Sequence, residues 1–153
     1  MQLPVSKGLY PEEFIAPMRA ELTGIGFTEL KTPTEVDEKL KEKGTTLVVV
    51  NSMCGCAARM ARPGLRMALQ QTAAKPERLV SVFAGQEREA TDKARAYFTG
   101  FPPSSPSIAL LRDGQLVYMM ERWQIEGRPA QEIAADLVSA FTEHCSVSGS
   151  AAG

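Results

Sequence analysis

Two cysteines separated by one glycine, Cys54-Gly55-Cys56, stand where an apolar run (Leu47, Val48, Val49, Val50) gives way to helix-forming sequence (Ala57, Ala58, Arg59, Met60, Ala61). Such a junction favours thiol chemistry. The first backbone N–H groups of a helix lack intrahelical partners, and the aligned peptide dipoles place about half a positive charge there, so a thiolate is stabilised over its thiol. The thiolate is the reactive form, and a free cysteine, titrating near about 8.5, is brought down toward neutral pH at such a position. Cys54 is the candidate nucleophile. Cys56 lies one residue deeper in the first turn, so it is expected to be less exposed and to resolve a mixed disulfide formed on Cys54.

The same two sulfurs could instead hold a metal. The one histidine, His144, lies far away in the chain, and no second cysteine pair completes a tetrahedral set, so no metal site is expected. Three cysteines are too few for a disulfide scaffold, and a close pair in a reducing compartment reads as catalytic, redox-sensing or metal-binding. Cys145, without a neighbour in sequence, reads as a spare thiol.

The 153 residues, 44% hydrophobic, suffice for one core, expected over 1–145, with a small, polar and frayed tail over 146–153. Seventeen basic and eighteen acidic side chains leave a formal charge of -1, which gives no global field for nucleic acid or an anionic membrane. The first residues carry no apolar signal core, and no apolar stretch approaches the roughly 20 residues that span a bilayer. A cytoplasmic location is therefore expected. Nothing in the chain decides its oligomeric state.

Other elements must position the sulfurs. Helical spacing of Phe14, Met18, Glu21 and Leu22 predicts a helix from Pro11 to Leu22. Thr32, Pro33 and Glu35 read as a capped start, with Glu35 three residues after Thr32 and Gly44 as the stop. A strand is predicted over Thr45 to Asn51. After the cysteines a helix should run to about Thr72, kinked at Pro63, whose ring and missing N–H interrupt the ladder. A buried strand over Leu79–Ala84 and a charged helix from Glu87 to Phe98 come next. Then Ser107–Leu111 and Gln115–Met119 flank Asp113-Gly114, the dipeptide that favours a tight hairpin. A last helix is predicted from Pro129 to His144.

Strand, helix, strand, helix, hairpin and helix give two parallel strands joined by a right-handed crossover, with antiparallel strands added by the hairpin. The expectation is an α/β protein of thioredoxin-like fold: a mixed four-stranded sheet, helices on both faces and extra N-terminal helices. In that arrangement reactive cysteines follow the first core strand, where Cys54 falls. Pro106 opens the third core strand, the place where thioredoxin-like folds carry a cis-proline opposite the reactive sulfur. The Ser105-Pro106 bond is therefore expected to be cis, with Ser104 and Ser105 lining a substrate groove. A disulfide across one intervening residue closes a tight ring, so a more oxidising potential than thioredoxin's is expected.

The chain resembles the bacilliredoxins, thioredoxin-like proteins with a Cys-Gly-Cys motif. The stretches that carry the resemblance are Thr45–Ser52, Cys54–Ala58, Ala61-Arg62-Pro63, Val82–Gln86, Pro102–Ser107 and Ile125-Glu126-Gly127, and similarity runs from about Tyr10 to Cys145. Met53, Arg59 and Met60 replace smaller residues around the motif, and Trp123 stands in place of a histidine. The resemblance implies a thiol-disulfide oxidoreductase that removes bacillithiol from mixed disulfides on cytoplasmic proteins. Its partners would be bacillithiolated or disulfide-containing proteins, with bacillithiol as thiol cosubstrate and no tightly bound cofactor. The alternative is a protein disulfide isomerase or general reductase; a metal or redox-sensor module is a third. Asn51 and Arg62, in the matching stretches, join Ser104, Ser105 and Pro106 as candidate substrate-binding residues. Arg59 and Arg62, three apart, are expected to share a helix face. If Arg62 lies too far along the helix to touch a substrate, its role is structural.

Overall fold

The computed structural model describes residues 8–145, so the frayed tail expected over 146–153 lies outside the described residues. Strand β2 (Thr45–Asn51) is the centre of the molecule. All seven of its residues are buried, which explains its unbroken apolar run. Leu47 and Val49 pack into one core, with Ala61, Leu65, Ile133 and Leu137; Val48 and Val50 pack into a second, with Val36, Leu40, Ala90 and Ala94. Alternation along one strand thus feeds two layers of helices.

The sheet has five strands, in the order β1 (Thr28–Glu29), β3 (Arg78–Phe83), β2, β4 (Ser107–Arg112), β5 (Gln115–Met120). β2 runs parallel to β3 and antiparallel to β4, and β4 runs antiparallel to β5. Asp113 and Gly114 both take positive φ, 52° and 78°, as a two-residue hairpin of this hand requires. The mixed α/β sheet is the expected one with a strand added: β1 pairs with β3 through two residues, Thr28 with Val80 and Glu29 with Ser81. Two residues are too few to show a period, so sequence does not announce them.

On one face lie α3 (Arg62–Gln71) and α6 (Ala130–His144), joined by Leu22 of α1 (Glu12–Thr23); on the other lie α2 (Pro33–Leu40) and α4 (Arg88–Arg95). Thr32 caps α2 by accepting from the N–H of Glu35 at 3.2 Å, while the Glu35 carboxylate accepts from Lys31 N, one residue earlier than a capping box. α4 stops at Arg95, before the predicted end; tighter turns then carry the chain to Phe98, which still reaches the core. α3 and α6 approach closely at Gly64, where a Cβ would lie 2.7 Å from Ile133 Cγ2.

Of the predicted set on α1 only Leu22 is buried: Met18 and Glu21 are half-buried, Phe14 is 52% exposed, and the buried stripe is Ile15, Arg19 and Leu22. A buried arginine cannot be read as part of an apolar stripe. Arg19 is accommodated because Glu12, Glu29 and Glu87 all pair with its guanidinium, which also lies 5.3 Å from the centre of the Phe83 ring.

Candidate active site

Three chain segments meet at the end of the sheet where β2 finishes. β2 leaves the sheet at Asn51. Because β4 is antiparallel to it and Val50 pairs with Ser107, the segment entering β4, Ser104 to Pro106, lies beside that exit. β5 returns to the same end, Met120 opposite Ile108, and runs into α5 (Arg122–Ile125), a four-residue helix that sequence reasoning missed. Its start is held by a capping box between Glu121 and Gln124.

The Cys54 carbonyl accepts from the N–H groups of Ala57 at 3.1 Å and Ala58 at 3.2 Å, so the first helical turn closes on it. The next residues, Ala57–Ala61, form a π-helical turn in which the N–H of Arg62 reaches back to the carbonyl of Ala57. Pro63 lacks an N–H for the α-ladder, and the wider turn absorbs the break where a kink was expected. The wider turn also rotates α3 relative to the first turn. Arg59 is exposed and Arg62 only 3% exposed, so the expectation that they share a face is wrong.

Arg62 and Asn51 lie beneath the junction. Arg62 Nη1 donates to Asn51 Oδ1 at 2.9 Å and to the Ser52 carbonyl at 2.8 Å, and Nε lies 3.2 Å from Glu21 Oε2. Asn51 Oδ1 also accepts from Ser52 N at 2.9 Å, and its Nδ2 donates to the Met18 carbonyl. Asn51 too is 3% exposed. Placing these two among substrate-binding residues is therefore corrected: both are buried, and their polar atoms are turned toward one another, the backbone and the Glu21 carboxylate.

Cys54 and Cys56 are free thiols, both half-buried, so exposure does not separate them as expected. Protonation does. Burial works against the Cys54 thiolate, but the Ser52 hydroxyl, the N–H groups of Ala57 and Cys56 and the Arg122 guanidinium outweigh it, and the thiol is held below its ordinary value. Burial pushes the Cys56 thiol up; the charge on Cys54 and the Glu126 carboxylate act in the same direction, and Arg122 opposes them. The surroundings thus favour negative charge on Cys54 and oppose it on Cys56.

Opposite the sulfurs, the Ser105-Pro106 bond is cis, Pro106 is buried, and Ser104 and Ser105 are half-exposed. Arg122 ties this segment to the cysteines. Its Nη1 donates to the Ser105 carbonyl at 3.2 Å, its Nη2 lies 4.0 Å from Cys56 Sγ, and its backbone N–H donates to Ser104 Oγ at 3.4 Å. The Ser104 carbonyl accepts from Arg95 Nη2. Arg122 and Ser52 are the members of this group that sequence reasoning missed. The Glu121-x-x-Gln124 capping signal could have marked a helix start here, but only the sheet register brings it to the cysteines. Trp123, beside Arg122, is 72% exposed, with its indole N–H on Glu121.

Cys145 lies at the opposite end of β2, where the Thr45 hydroxyl reaches it, and its thiol is pushed up by burial. Among the described residues no three His, Cys, Asp or Glu side chains gather as metal ligands, and no helix is long and apolar enough to cross a membrane.

Comparison with known proteins agrees with this geometry. Among solved structures, the oxidised mitochondrial thioredoxin 3 of Saccharomyces cerevisiae superposes with a TM-score of 0.55 at 21% identity, covering 80% of this chain and 98% of that one. The oxidised thioredoxin of Plasmodium falciparum also gives 0.55, at 16% identity, over 79% and 100%. These establish the thioredoxin fold. By sequence, the chain is 54% identical over 144 residues to a bacilliredoxin of Koribacter versatilis, 94% of this chain and 99% of the relative. A bacilliredoxin of Bacillus cereus is 48% identical over 141 residues, 92% and 97%. A family model described as "Disulphide isomerase" matches residues 10–145. With a cysteine pair at the strand-to-helix junction of a thioredoxin fold and this likeness over nearly its whole length, the chain is a thiol-disulfide oxidoreductase that belongs to the bacilliredoxin family.

Proposed function

We propose that this protein removes bacillithiol from mixed disulfides on cytoplasmic proteins, with Cys54 as the attacking thiolate and Cys56 as the resolving thiol. The observation that carries the reading is the opposite direction in which their surroundings move the two thiols, Cys54 down and Cys56 up. Cys54 attacks the bacillithiol sulfur of the mixed disulfide. The new S–S bond joins Cys54 to bacillithiol, the old one breaks, and the electron pair leaves with the client protein's thiolate. Cys56, or a second low-molecular-weight thiol, then clears the adduct from Cys54. Bacillithiol is cosubstrate in this scheme, and no bound cofactor takes part. Ser104, Ser105 and Pro106 form the wall opposite the sulfurs against which the substrate would lie. The likeness to bacilliredoxins supports the choice of thiol.

The test is to load one protein with bacillithiol and, separately, with glutathione, and compare how fast catalytic amounts of this chain release each. Faster release of bacillithiol, by several-fold or more, is expected. Equal rates, with efficient reshuffling of a scrambled disulfide protein, would favour a general disulfide isomerase or reductase, the reading that the family model's description supports.

A further inference from the structure

Arg122 stands between the two sulfurs and the segment opposite them, and its position is set from several sides. Its Nη1 is on the Ser105 carbonyl at 3.2 Å, its backbone N–H on Ser104 Oγ at 3.4 Å, and its Nε 3.5 Å from Glu126 Oε2. That leaves Nη2 aimed at Cys56 Sγ, 4.0 Å away. Both sulfurs act on this guanidinium: they are the two foremost reasons why its charge is reinforced, Cys54 ahead of Cys56. One fixed cation thus faces two sulfurs that must carry negative charge at different moments.

We propose that Arg122 is a catalytic residue of the second half of the exchange: it neutralises Cys54 while Cys54 is the thiolate and, once Cys54 is tied up in the adduct, lends the same charge to Cys56 so that Cys56 becomes the resolving nucleophile. This rests on the assignment of Cys54 as the first sulfur to attack. The groups facing Cys56 are Cys54 in its own turn and Arg122 and Glu126 of the α5 segment. In the free protein the Cys54 thiolate repels charge on Cys56 and accepts its S–H. When Cys54 forms a disulfide with the incoming thiol it becomes neutral, so that opposition disappears while Arg122 stays. Cys56 then gives its proton to solvent and attacks Cys54 Sγ. The Cys54–Cys56 bond forms, the bond from Cys54 to the bound thiol breaks, and its electron pair leaves as a thiolate.

The two halves are separable with an aromatic disulfide, 5,5′-dithiobis(2-nitrobenzoate), whose coloured thiolate is released once in each step. In the full chain carrying Cys145→Ser, the first release depends on reagent concentration and the second does not. An opposite charge within about 4–6 Å moves a titration by 1–3 units, and the lower figure suits Arg122, whose side chain is 42% exposed. Arg122→Gln is therefore expected to raise the pH midpoint of the second release by about one unit. At neutral pH that release should slow about three-fold to tenfold, because a less acidic thiol is scarcer as thiolate but more nucleophilic. The first release should slow less, since Ser52 and two backbone N–H groups still hold Cys54. Arg122→Lys, which keeps the charge without the planar fork, should restore most of the second step. If both releases slow equally with no change in the second midpoint, Arg122 only holds the Ser105 segment and the proposal is wrong. A wild-type chain without a second release would overturn the roles of the two cysteines as well.

Discussion

Arg62 Nη1 bridges Asn51 Oδ1 and the Ser52 carbonyl, so a helix residue eight positions beyond Cys54 grips the chain two and three positions before it. The strand exit and the helix that bears the cysteines are one hydrogen-bonded unit, closed beneath the thiols by two side chains each 3% exposed. Both side chains hold the turn that leads from β2 to Cys54.

Asn51→Ala should accordingly lower stability, by about 1–3 kcal/mol, since it strands buried donors on Arg62 and Ser52. Arg62→Leu should cost at least as much. Urea unfolding midpoints read this directly. A variant with an unchanged midpoint but a raised KM for exchange would return these residues to the substrate site.

The order of the sulfurs is testable by mass and by titration. Cys56→Ser should accept a thiol adduct and accumulate it, while Cys54→Ser should accept none. In the Cys56→Ser protein, iodoacetamide alkylation of Cys54 should titrate below the free-cysteine value of about 8.5. Adding Ser52→Ala should raise that midpoint, because the Ser52 hydroxyl is the foremost group opposing the cost of burial at Cys54. Adducts that collect on Cys56 instead would reverse the assignment.

Arg19→Leu leaves Glu12, Glu29 and Glu87 without their shared cation and should cost about 3 kcal/mol at neutral pH. The cost should shrink in acid. The Glu12 carboxyl is held below its ordinary value, chiefly by the Arg19 hydrogen bond, so its contribution exists above the unfolded pKa and is lost as pH falls through the folded one. Unfolding curves of both proteins should therefore converge below about pH 4. A gap that does not narrow would mean the loss is one of packing.

Alkaline pH tests α2 against α4. Burial, then the Asp37 carboxylate that accepts its hydroxyl at 2.6 Å, push Tyr97 up to about 12. A folded pKa above the unfolded value of about 10 gives stability that is complete below about 10 and lost as pH rises through about 12. Tyr118, pushed up to about 12 by burial, acts in the same window. Tyr97→Phe should make the fall in stability between those values shallower, and the double variant with Tyr118→Phe shallower still. An unchanged slope in the double variant would assign alkaline unfolding to other groups.

Much of this protein is legible in short stretches of sequence because the physics there is local. The apolar run 45–51 and its abrupt end at Cys54, the Thr32 cap and the Asp113-Gly114 turn each depend on a few neighbouring residues, and each stands where it was read. With the order of elements they determined the thioredoxin-like fold and put the cysteine pair where β2 gives way to the next helix. What the tertiary structure alone decided is which distant side chains meet. Arg122 reaches the cysteines because the registers of β2 with β4 and of β4 with β5 return the chain to one end of the sheet. Arg59 and Arg62 part because a π-turn between them changes the phase of the helix. Arg19 is buried because carboxylates from three separate segments converge on it, and Gly64 is needed because Ile133 of another helix lies where its Cβ would be. None of these has a local signature: a charge or a small residue reads the same in solvent or in a core until packing supplies its neighbours.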